Sequence, residues 1–183
     1  MSLFSARIAG RLLAIAVLGA LTAGCFQPMY AERTATGEPA LRERLSAVDV
    51  GDIATSQVAD ARLGVELRNG LLFSFTGGGG TAAPTHKLVV RMSTTRTSAI
   101  VDLTTARPDI ENYGIDVWYE LREIATNKSV LRATTFARVS YDIPGQEQRF
   151  ARIRGLRDAE SRATKQIAEN ISQRVSSFFV AGT

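Results

Sequence analysis

Cysteine, histidine and tryptophan occur once each in the 183 residues, and proline five times. One cysteine forbids an internal disulfide framework, and one histidine beside it falls short of the clustered soft ligands of a structural zinc site. No Gly-x-Ser-x-Gly elbow occurs, so hydrolases built on that motif are excluded. Apolar runs are short too. The longest extends from Leu12 to Leu21, ten residues, against the roughly 18 that a bilayer-spanning helix requires. What is present is a globular composition, 45% hydrophobic and 22% charged, which rules out a disordered or collagen-like chain. A folded unit of about 150 residues buries roughly 70% of the surface its extended chain exposes, enough for a core without staples.

The short apolar run has a purpose of its own. Residues 1 to 24 hold Arg7 and Arg11, no acidic residue, and then Leu12 to Leu21, which is the composition of an export signal. Leu21-Thr22-Ala23-Gly24-Cys25 follows, small residues before the protein's one thiol, and resembles a bacterial lipobox. Small side chains suit a peptidase that holds the strand extended. The Cys25 thiol is the nucleophile that takes a diacylglycerol, and Cys25 becomes the first residue after cleavage. Leu21 stands four places before the cysteine, one further than lipoboxes favour. A lone cysteine is otherwise most often a small buried core residue, but that reading leaves the basic and apolar leader unexplained. Each buried acyl methylene contributes about 0.8 kcal/mol, so several chains anchor stably where one does not. Phe26 follows in place of the acidic residue associated with inner-membrane retention, which favours the outer membrane. Loss of the leader lowers the formal charge from +4 to +2, so the basic pI is no nucleic-acid signature.

Along the remaining chain, residues 25 to 44 read as a lipidated tether and residues 45 to 183 as a single domain. Leu45 to Ile53 suggests a first strand. From Ser56, a candidate N-cap, to about Phe73, the apolar residues Val58, Ala61, Val65 and Leu72 follow helical spacing, with Leu67 and Leu71 nearby and an end expected at Asn69-Gly70. Gly77 to Gly80 lacks the lysine of a phosphate-binding loop and reads as a connector. Three period-two segments follow, His86 to Arg96, Tyr113 to Ile124 and Val130 to Tyr141, with a turn at Asn127-Lys128. Beyond Ile143-Pro144-Gly145, residues Gln146 to about Phe179 read as one helix. Ile153, Leu156, Ala163, Ile167, Ile171, Val175 and Phe178 form its apolar stripe, and Asp158-Ala159-Glu160 with Arg162 and Lys165 its wet side. The fold class expected is α+β, a two-layer sandwich with two helices packed on one face of a roughly four-stranded sheet.

The alternation also predicts what the uncovered face carries. If the odd-numbered residues of the two later strands meet the helices, Trp118, Arg122, Arg132, Phe136 and Arg138 point away, and Arg91 on the earlier strand joins them. Arginine forks bind phosphate bidentately, and Trp118 and Phe136 have no reason to face water. Taken singly, each arginine is more simply explained by pairing across strands with Glu120 or Asp116; taken together, the face suits a partner. Catalytic and metal readings find no support: His86 has no positioned nucleophile, Asp109 with Glu111 and Asp158 with Glu160 read as surface acids, and no cofactor is expected beyond the covalent diacylglycerol and acyl chain on Cys25.

Gly24-Cys25-Phe26-Gln27-Pro28-Met29-Tyr30 resembles the mature start of the lipopolysaccharide-assembly lipoprotein LptE family, although Phe26 stands where the family usually has Gly. Ser140-Tyr141-Asp142 ahead of a helix, then Arg157-Asp158-Ala159-Glu160-Ser161-Arg162-Ala163 running into Ile167 and Ile171, is similar to that family's terminal helix. The resemblance implies a nonenzymatic outer-membrane lipoprotein on the periplasmic side. It would plug the LptD barrel, support its assembly and help deliver lipopolysaccharide to the outer leaflet. No ligand-contact residue transfers by motif, so the candidate face rests on alternation alone. A second reading is an auxiliary lipoprotein of an ABC-type lipid transport system.

Overall fold

The computed structural model describes residues 40–102, 107–142 and 149–182. The leader, Cys25 and all but the last few residues of the expected tether lie outside them. A short helix α1 (Leu41–Ser46) precedes β1 (Val48–Val50) and β2 (Ala54–Thr55). One 3-10 turn, Val58–Asp60, then leads into α2 (Ala61–Thr76). Three long strands follow, β3 (His86–Asp102), β4 (Arg107–Glu123) and β5 (Ser129–Asp142), and α3 (Arg149–Ala181) comes last. The order along the sheet is β1-β3-β4-β5, with β2 also on β3; β1 and β2 run parallel to β3, and β3, β4 and β5 form an antiparallel meander. This is the α+β sandwich expected from the pattern, with one helix more.

Register explains the layering. Leu88 pairs with Leu121 and Leu121 with Leu131; Met92 pairs with Val117; Ile115 pairs with Ala137. All of these are buried, so one sheet face is a continuous apolar surface. Against it α3 sets Ala159, Ala163, Ile167, Ile171 and Val175, and α2 sets Leu63, Leu67, Leu71 and Phe75, all in a single cluster. Asn127, at φ 53°, takes the left-handed position of the β4–β5 turn, a conformation asparagine tolerates.

Four expectations change. The first strand is not one run from Leu45 to Ile53: Leu41 and Leu45 are buried on a helix, and the tether read to Arg44 is helical from Leu41. The face of α2 is rotated, since Val58 is 94% and Val65 60% exposed while Leu63, Leu67, Leu71 and Phe75, four residues apart, are buried. The N-terminal position of α2 belongs to Asp60 rather than Ser56, and Asp60 makes no capping bond. Gly70 does not end the helix, which runs on to Thr76 with Gly70 facing Ala168 of α3. The helix stops instead at Gly77, left-handed at φ 63°, whose N–H donates to Phe73 O at 2.8 Å.

The wet side of α3 is also corrected. Ala159 and Glu160 are buried, and Ile153 is 46% exposed. Glu160 accepts a short bond from Arg62 of α2 and lies 3.8 Å from Arg96 of β3, while Asp60 accepts the Thr94 hydroxyl proton at 2.7 Å. Tyr113, fully buried, places its hydroxyl beside Thr94 without a well-formed hydrogen bond. Burial first, and then the charges of Glu160 and Asp60, push its pKa up to about 12.

Candidate functional site: the open sheet face

The opposite face of β3, β4 and β5 carries the residues that alternation assigned to it, in cross-strand rows. Arg91 pairs with Trp118 and Trp118 with Thr134; Asp116 pairs with Phe136; Glu120 pairs with Arg132; Gly114 pairs with Arg138; Lys87 pairs with Arg122. The sheet is what brings Arg91, Trp118, Arg122, Arg132, Phe136 and Arg138 together. Each is an even-numbered position of β4 or β5, or an odd-numbered one of β3.

Within that face the arginines are engaged to different degrees. Glu120 lies between Arg122, whose Nη2 donates to Oε2 at 2.9 Å, and Arg132, whose Nε donates to Oε1 at 3.1 Å; it is 2% exposed although it belongs to the open side. Hydrogen bonds from Arg122, then Ser129 and Arg132, hold the Glu120 carboxyl down to about 2, and the same contact raises Arg122. Arg138 Nη2 reaches both oxygens of Asp116, at 2.7 and 2.9 Å, and its guanidinium lies 5.4 Å from the Phe136 ring centroid. That pair, with both side chains nearly half exposed, contributes about 0.2–1 kcal/mol. Arg91 stacks over Trp118 at 5.2 Å and, among the described residues, meets no carboxylate.

Beside Arg91 and Trp118 the face sinks into an open groove of about 580 Å³, walled by Ala54 and Thr55 of β2, by Thr134 and by Phe136. Phe136 is 65% exposed and Trp118 half-buried. The wall from β2 was not foreseen, because two residues of strand leave no period to read. Nor was Lys87, which faces Arg122 directly; its odd number on β3 was the available signal. Like charges directly opposite are destabilising by themselves, so this end of the face is suited to an anion. Positive guanidinium, aromatic ring and threonine hydroxyls together can hold an anionic amphiphile or a protein wall.

His86 lies elsewhere, at the start of β3. Its Nδ1 is 2.9 Å from Thr85 Oγ1, its ring meets Phe179 edge-on, and burial lowers its pKa. Asp158 pairs with Arg162 along α3 as a surface acid, whereas Glu111 is bound by Tyr141 and lies 3.7 Å from Arg152. Among the described residues no helix is long and apolar enough to cross a membrane.

Solved structures share this fold, two bacterial proteins among them. A protein described as a lipoprotein, from Caulobacter crescentus CB15, matches with a TM-score of 0.58 at 17% identity, over 78% of this chain and 97% of its own. The rare lipoprotein B from Shewanella oneidensis matches with a TM-score of 0.52 at 15% identity, over 73% and 96%. The chain has the fold of these two bacterial proteins almost from end to end of theirs. No protein-family model matches it, and no curated protein does.

Proposed function

We propose that the protein is an outer-membrane lipoprotein of the LptE kind, anchored through Cys25, that seats against the LptD barrel and assists lipopolysaccharide delivery. The observation that carries this reading is the uncovered sheet face. Trp118 and the largely exposed Phe136 share it with Arg91, Arg122, Arg132 and Arg138, while among the described residues the buried apolar side chains of β3, β4 and β5 are on the other side. Such a face works by fitting. The leader and lipobox, and a fold shared with two proteins called lipoproteins, support the anchor. A barrel wall would cover the aromatic groove, and lipid A or core phosphates would take the guanidinium donors that Asp116 and Glu120 leave unused.

The test is extraction of the tagged full-length chain from its own envelope in mild detergent. Recovery of a large outer-membrane barrel in equal amount is the expected result. An inner-membrane permease complex in its place would overturn the reading and favour the auxiliary-lipoprotein alternative.

A further inference from the structure

Strand β5 is the outer edge of the sheet, and among the described residues no strand pairs with its far side. From Leu131 to Asp142 its register on β4 is unbroken, twelve residues without a bulge, glycine or proline. At about 3.3 Å per residue that is an edge of roughly 40 Å. Natural proteins guard such edges with bulges, prolines or charges that reach across them. Here the charges of the strand itself are turned inward, and the guanidinium that reaches its main chain from the helix layer does so at its end, where Arg162 of α3 donates to the Ser140 carbonyl at 3.3 Å. Arg132 is drawn onto Glu120 and Arg138 onto Asp116, both on the neighbouring inner strand, so neither guanidinium shields the edge. The residues between them, Ala133-Thr134-Thr135-Phe136-Ala137, are uncharged and rich in strand formers. Glu120 and Asp116 thus do more than neutralise two arginines, because they keep the edge clear.

We infer that β5 accepts an extended strand from a protein partner, adding one more strand to the sheet. The inference rests on the proposed function only in taking the molecule to work against a protein wall. Main-chain hydrogen bonds would supply the affinity and alternate side chains the selectivity. Chemistry along the edge defines the occupant. β5 has no carboxylate before Asp142, while Arg132 and Arg138 remain 65% and 46% exposed and six residues apart, with Phe136 between them. The complementary strand carries two acidic residues six positions apart and an apolar residue two positions from one of them, all on one face.

Photo-crosslinking in the full-length protein tests this. Benzoylphenylalanine is placed at Thr134, Phe136 or Ser140 of β5, all exposed, and at Val65 of α2 as a control, and the protein is irradiated in its own envelope before extraction. Strand addition predicts adducts from Thr134 and Phe136 to residues two apart in one companion, and from Ser140 to a residue four further on. The companion's order runs monotonically with β5, and the Val65 control gives no adduct. A Thr134→Lys variant, which places a charge on the edge opposite Trp118, should lower the yield of the Phe136 adduct at least tenfold with an unchanged melting temperature. Adducts without this spacing, adducts between two copies of the chain, or an unaltered yield in Thr134→Lys would overturn it. A companion recovered without edge adducts removes this inference alone, whereas no companion at all removes the proposed function with it.

Discussion

Glu120 illustrates how one residue serves two layers. It belongs to the open side by its even number, yet it is as buried as the core because two arginines close over it. Its carboxyl is held near 2 against an ordinary value of 4.5, so the folded state binds its proton more weakly than the unfolded state does. The stabilisation is therefore complete above about pH 4.5 and is lost as pH falls towards 2. Urea unfolding of Glu120→Gln should show a lower midpoint than the parent at pH 7 and a shallower fall between pH 4.5 and 2; parallel curves would contradict the assignment. The pairing partners were legible as types, since alternation places Glu120, Asp116 and the arginines on one face. Which arginine takes which acid was not, because that depends on the β4–β5 register, which opposes Glu120 to Arg132 and leaves Arg138 diagonal to Asp116.

At the scale of elements, α2 shows where a periodic pattern misleads. Two stripes fit 3.6 residues per turn from Val58 to Thr76, one through Val58, Ala61, Val65 and Leu72 and the other through Leu63, Leu67, Leu71 and Phe75. Periodicity alone does not choose between them. The second wins because it carries larger side chains and because Gly64 lets the helix approach Ile53 and Thr55. Leu67→Ala should cost about 2–5 kcal/mol by leaving a cavity, whereas Val65→Ala on the exposed side should stay within about 0.5 kcal/mol. Chemical denaturation of both variants distinguishes the two faces, and the reverse ranking would restore the first stripe. The strands were far easier. Period two leaves only two faces to choose from, and Ile115, Val117, Tyr119 and Leu121 admit one choice.

For the molecule as a whole, the relevant quantity is the balance of charge on the uncovered face rather than the net charge of the chain. Replacing Arg132 and Arg138 together by Ala removes two cations and leaves Asp116 without its guanidinium and Glu120 with only Arg122. Binding of purified lipopolysaccharide to the protein should then weaken by at least tenfold at low salt, with the difference narrowing at high salt as surface charges are screened; equal affinity would detach the face from lipopolysaccharide. Residue identity and spacing were enough to determine three half-buried strands, a long final helix and the side of the sheet on which the strand residues lie, because these follow from periods of two and 3.6 along a single segment. Only the tertiary structure decided which face of α2 is inside, that Asp60 and Glu160 are buried together, that β2 walls the groove, and that β5 is the edge strand on which no other described strand lies. Each of these depends on which distant segment lies alongside, a contact that local spacing does not encode.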